Sequence, residues 1–213
     1  MPLLFIAVFA LTRVVGVTAP LASFSAAYAL MFCAGVYFRG RSAWWLPLGA
    51  MLVTDVALNL YYSLHNHIDV WSRATMIYQA ANYAAYVVLI GLGRRFKPQS
   101  SFLALLGGGV LGALLFYIIT NTASWLFNPF GASEYVHKSL LTWFNALTKG
   151  TGGWPETWQF FRNTLLSGGI FTALFVGAAK VSAESPADKR AGAHADDSES
   201  EPDVEPKPEG AEA

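Results

Sequence analysis

The chain has 213 residues, of which 54% are hydrophobic, 15% aromatic and only 13% charged. Soluble domains carry about 25% charged residues, so an ordinary soluble core is excluded. The formal net charge of zero hides an asymmetry. Met1–Val181 holds eleven Lys/Arg and four Asp/Glu, whereas Ser182–Ala213 holds three and ten, giving +7 followed by −7.

About 20 apolar residues cross a bilayer core, and runs near that length recur here. Six membrane helices are expected, over residues 3–18, 22–38, 43–61, 74–92, 102–127 and 158–180. The first, "MPLLFIAVFALTRVVG", lacks a basic leading region and is interrupted by Arg13. It therefore reads as a retained helix and not a cleaved signal peptide. Pro20 follows it. The second contains the single cysteine, Cys33, which excludes a disulfide framework within the chain and is expected to pack. It ends at Arg39, Gly40 and Arg41.

The third helix places Asp55 and Asn59 four residues apart on one face, with Tyr62 close by. The loop after it, "YYSLHNHIDVWSR", offers His65, His67 and Asp69; a solvated loop is the expected role, not a metal site. In the fourth helix Tyr78, Asn82 and Tyr86 share a face, and "GRRFKP" closes it, with Pro98 barring continuation. The fifth is rich in glycine at its start, and Gly108 with Gly112 has the spacing of close helix packing.

The loop from about 128 to 157 is expected to form an amphipathic surface helix. Ser133 would cap it, Glu134 would suit its first turn, and Lys149 with Gly150 would end it. Val136, Leu140, Phe144 and Leu147 would share its apolar face, with Trp143, Trp154 and Trp158 in the interfacial belt. The sixth helix opens with "FFRNTLLSGGIF". After Val181 the chain turns acidic and has no large apolar residue but one Val. It cannot bury enough surface to offset its ordering entropy. The expected domains are a membrane domain over 1–181 and a disordered acidic tail over 182–213.

Basic residues flank the 39–42 loop, the 93–101 loop and the end of the sixth helix. By the positive-inside rule these connections, and both termini, are expected to be cytoplasmic, in a multi-pass protein of the inner (plasma) membrane. With that orientation, the polar residues of five helices fall at one depth. Helices running outward carry them late (Arg13, Asp55, Asn59, Asn121, Trp125), and helices running inward carry them early (Tyr78, Asn82, Arg162, Asn163). Intramembrane polar groups mark glue points or functional sites. Their common depth points to a polar cavity open to the outside, with Arg13 and Asp55 as the expected ion pair.

In that cavity Arg13 and Arg162 would supply positive charge, Asn59, Asn82, Asn121 and Asn163 hydrogen bonds, and Tyr78 and Trp125 apolar or stacking surface. No phosphate-binding loop is present, and no His lies in the six spans to serve Ser167 as a base. No enzymatic activity, cofactor, bound metal or nucleic-acid partner is expected. The expected partners are a small solute and the lipid bilayer.

The strings "AAYALMFCAGVYFRGRSAWWLPLGAMLVTDVALNLY", "TNTASWLFNP" and "FFRNTLLSGGIF" carry a family resemblance. Over about residues 3 to 180 the chain resembles an uncharacterised bacterial membrane family, a domain of unknown function with inferred transport activity. That family is similar to the substrate-binding S components of energy-coupling factor (ECF) transporters. The resemblance implies a six-helix all-α bundle of S-component type, solute transport, and an ECF-type coupling and ATPase module as partner. It matches Asp55, Asn121, Arg162, Asn163 and Thr164 to the family pattern. It departs at Ser167–Gly168, where the family often has Gly-Asp, and at Ala7 and Ala10, which are three apart where S components space small docking residues by four. A membrane scaffold, in which the polar cluster only packs helices, is the alternative.

Overall fold

Why eleven apolar residues suffice for one helix while three of its neighbours run past twenty is answered by burial. The computed structural model describes residues 2–15, 23–67, 69–152 and 155–198. Regular structure among them is helical throughout: α1 (Pro2–Val15), α2 (Ala27–Tyr37), α3 (Ser42–Asn66), α4 (Arg73–Gly93), α5 (Phe102–Phe127), a 3-10 turn (Ser133–Tyr135), α6 (Leu140–Thr148) and α7 (Thr157–Ser198). Four helices are long and apolar enough to cross a membrane: Ser42–His65, Arg73–Gly93, Phe102–Phe127 and Thr157–Ala183.

The other two expected spans, α1 and α2, are shorter apolar helices. In α2 every residue from Ala27 to Val36 is buried, so it is a core helix enclosed by α1, α3, α4 and α5. It starts five residues later than position 22. Ser23 takes a left-handed φ of 65°, and the Ser25 hydroxyl accepts from the Ala27 amide at 3.2 Å. Both hold the segment out of the helix. The expected end of the first helix at 18 and the 19–21 turn lie outside the described residues.

Serine caps fix several boundaries. Ser72 Oγ accepts from Thr75 N, and Ser101 Oγ from Ala104 N, each at 3.2 Å, satisfying amides that have no partner inside the helix. The surface helix starts later than expected. Ser133 and Glu134 form one 3-10 turn, and Ser139 makes the capping box with Thr142 that opens α6. Lys138 Nζ explains the break, donating back to the carbonyls of Trp125 at 2.5 Å and Tyr135 at 2.6 Å. Val136, Leu140, Leu141 and Phe144 are exposed, while Ala146 is buried against the bundle. On α3 the outward residues Leu52, Val53, Val56 and Leu60 are likewise exposed, an apolar surface suited to lipid.

Two compact units divide the chain, Met1–Gly177 and Ala178–Ala213. α7 runs from Thr157 to Ser198, across the composition break at Val181. Ala recurs through 183–195, and it is the strongest helix former. Residues 199–213, and Trp154, lie outside the described residues.

The apolar half of the first unit is locked by glycine. A Cβ on Gly35 of α2 would collide with the Ile90 carbonyl of α4, and one on Gly93 with the Phe32 carbonyl. Gly108 and Gly112, the expected packing pair, turn toward α2 and α4: a Cβ on Gly108 would stand 2.6 Å from Phe32 Cζ. Gly35→Ala and Gly93→Ala should each destabilise the protein by at least the 1–3 kcal/mol typical of overpacking, because backbone blocks the added methyl. Gly91, on the same helix as Gly93, has nothing within 4 Å of its would-be Cβ, and Gly91→Ala should leave stability unchanged or raise it by up to about 1 kcal/mol. Unfolding of the three variants in lipid nanodiscs checks the contrast.

Candidate functional site

The polar residues of α1, α3 and α4 converge. Asp55 and Asn59 lie on one face of α3 by their four-residue spacing, and Gln79, Asn82, Tyr83 and Tyr86 lie on one face of α4. Together with Thr12, Arg13 and Tyr28 they line a cavity of about 490 Å3. Arg13 Nη2 forms an ion pair with Asp55 Oδ1, and Tyr83 Oη donates to Asp55 Oδ2 at 3.0 Å. The pair therefore ties three helices. Its side chains are 24% and 16% exposed, so both charges are largely withdrawn from solvent. Thr12 Oγ1 adds a fourth element, accepting from Ala26 N at 3.0 Å at the head of α2. Arg13 Nε and Asn82 Oδ1 are buried with no hydrogen-bond partner among the described residues.

A second cavity, of about 460 Å3, adjoins the first and shares Ser23, Tyr78 and Phe116 with it. Its walls are α5 (Phe116, Tyr117, Thr120, Asn121, Ser124), α7 (Thr157, Phe160, Thr164) and the connection between these helices. Asn121 Nδ2 donates to Tyr117 O at 2.9 Å. The connection is held at several points. Asn128, left-handed at φ 42°, accepts from Ala132 N at 2.8 Å and donates to Ala132 O at 2.9 Å. Glu134 Oε1 accepts from Gly152 N at 2.8 Å, and this backbone donor, with the Ser133 hydroxyl, holds the Glu134 carboxyl below its ordinary range.

Of the expected site residues, Arg13, Asp55, Asn59, Tyr78 and Asn82 line the first cavity, and Tyr78 and Asn121 the second. Three line neither. Trp125 instead donates from Nε1 to Thr142 Oγ1 at 3.0 Å, and Trp143 Nε1 donates to Thr122 Oγ1 at 2.9 Å. Both indoles thus fasten α6 to α5, helped by the Tyr117 hydroxyl on the Leu147 carbonyl. Arg162 is exposed, with its guanidinium 5.8 Å from the centre of the Trp158 ring. Asn163 is buried beside Thr164, and it is Thr164 that reaches the second cavity.

The second cavity as a whole is missed by sequence reasoning. The signal for it was a stripe of small polar residues, Thr120, Asn121 and Ser124, matched by Thr157 and Thr164 on α7. Among the described residues no three His, Cys, Asp or Glu converge on one point. His65, expected in the loop after the third helix, lies in the last turn of α3 and stacks on Tyr61 with ring centres 4.6 Å apart. The two cavities offer hydrogen bonds, one ion pair and aromatic surface, which is equipment for binding.

The ion pair yields a prediction. Arg13→Leu or Asp55→Leu alone strands the partner charge and should destabilise the protein by about 3–5 kcal/mol. The double replacement should cost less than either single one, and unfolding of the set in nanodiscs measures the coupling. Additive effects would mean that the two side chains do not interact.

No curated protein and no solved structure matches the chain. The model of a family of unknown function (DUF6580) matches residues 1–189, and the chain belongs to that family.

Proposed function

We propose that this membrane protein binds a small solute in the cavity around Arg13 and Asp55 and serves its transport, in the manner of the S components of ECF transporters. The observation that carries this is the convergence of α1, α3 and α4 on a cavity of about 490 Å3 at one end of the bundle. Simple helix packing accounts for one ion pair, but not for a cavity of ligand size lined by further polar side chains.

The charge pattern supports an outward opening. Arg39, Arg41, Arg94, Arg95 and Lys97 are all exposed and flank the α2–α3 and α4–α5 turns. Asp55 lies thirteen residues into α3, about 20 Å from that basic rim at 1.5 Å per residue. With the basic rim cytoplasmic, the cavity belongs to the outer half of the bilayer. The bilayer is the inner (plasma) membrane, and an ECF-type coupling and ATPase module is the partner that would drive translocation.

Nanodisc-embedded protein should show saturable thermal stabilisation by at least one member of a panel of vitamins, nucleobase-like compounds and metal ions. Asn82→Leu should weaken that binding about tenfold, the value of one hydrogen bond with a buried group. A panel that leaves the melting temperature unmoved, or stabilisation that survives Asn82→Leu unchanged, would favour the scaffold role.

A further inference from the structure

The two adjoining cavities differ in chemistry, and their difference bears on what they take. The first holds the ion pair, Asn59, Gln79 and Asn82. The second is walled chiefly by rings and small hydroxyls, with Phe116, Tyr117, Phe130 and Phe160 among its lining. Between them stand Tyr78 and Phe116. Phe116 is fixed from both sides, its ring centre 4.8 Å from Tyr28 and 5.0 Å from Tyr86. Tyr78 reaches across to the α5–α6 connection, with its ring centre 5.9 Å from that of Phe130.

The charge balance of this double chamber is also definite. Arg13 and Asp55 are the only charged side chains among the described residues lining either cavity, and they neutralise each other. Arg162, the second cation expected there, lies outside against Trp158. A solute bearing a net charge would find no uncompensated counter-charge, and burial of an unpaired ion is strongly unfavourable. Neutral donors and acceptors meet no such barrier. The unmatched Arg13 Nε and Asn82 Oδ1 mark hydrogen-bonding capacity of both signs at the polar end.

Resting on the solute-binding reading above, we infer that the solute is net-neutral and amphipathic. A hydrogen-bonding end lies by Arg13, Asp55 and Asn82, and a flat apolar or aromatic body passes Tyr78 and Phe116 into the second chamber. This departs from the expectation that Arg13 and Arg162 together supply positive charge to the cavity.

Titration calorimetry on the full chain in nanodiscs, with protein-free nanodiscs subtracted, tests it with five probes at pH 7. They are 2-naphthamide, the anion 2-naphthoate, the cation 2-naphthylmethylammonium, and the halves naphthalene and acetamide. The neutral amide should bind saturably, at least tenfold tighter than either ion and than either half. Tyr78→Ala, which removes the shared wall, should weaken the amide about tenfold. Asn59→Asp adds one negative charge to the polar chamber and should shift the cation-to-amide preference at least tenfold toward the cation. Asn121→Asp in the second chamber should do so as well, should the first variant not fold. Equal or tighter binding of an ion by the parent chain, no saturable binding of the amide, or an unmoved preference in the folded variant would overturn the inference. Saturable binding of a charged compound from the wider panel, with no binding of the amide, would overturn it while leaving the solute-binding reading in place.

Discussion

One guanidinium and one carboxylate organise the polar half of this protein. A charge placed between apolar helices must meet an opposite charge and satisfy its remaining hydrogen-bonding atoms. Arg13 meets Asp55, and Tyr83 takes the second carboxylate oxygen. This requirement draws α1, α3 and α4 to a common point. The pair is not in itself a strong source of stability, since desolvation offsets much of the attraction. Its effect is to specify register: with either partner displaced by a turn, a bare charge would be left unpaired between apolar helices. The cavity beside the pair follows, because three helices held by long polar side chains at this depth cannot close on one another as small residues would allow.

The other half shows the opposite solution. There α2 and α4 meet at Gly35 and Gly93, with no room for a single methyl group, and Gly108 receives the ring of Phe32. Close backbone approach at one end and long polar contacts at the other make the bundle tight at the basic rim and open away from it. α2 is spared the length of a membrane span because its neighbours, and not lipid, surround it. The segments on either side of α6 line the second cavity, and α6 itself is fastened to α5 by two indole hydrogen bonds.

The long helices were legible because their apolar runs are bounded by turn and capping residues: α5 has the bounds expected of it, and α3 and α4 begin within a residue of expectation. The Arg13–Asp55 pair was legible from depth alone, since few other charges lie in the spans. Rotation about a helix axis was not. α7 is apolar on most of its circumference, so nothing in its composition decided whether Arg162, Asn163 or Thr164 would face inward. The aromatic ring of Trp158, one turn earlier, settles it by drawing Arg162 outward. Trp125 was similarly claimed by Thr142, a partner seventeen residues on that no periodicity reveals. The second cavity was invisible for a related reason: much of its wall is the folded connection between α5 and α7, whose course depends on Lys138 and Glu134 reaching backbone groups thirteen and eighteen residues away.

The proposed solute site requires that the polar chamber beside Asp55 open to the outer side of the membrane. The single cysteine, Cys33, is buried and leaves a silent background for thiol labelling. A cysteine at position 59, within the chamber, and one at position 52, on the exposed apolar face of α3, can be compared in intact cells with a membrane-impermeant maleimide. Asn59→Cys should be labelled from outside and Leu52→Cys should not, because the first faces water and the second lipid. Labelling of Asn59→Cys only after the membrane is permeabilised, or no labelling at all, would contradict the outward chamber.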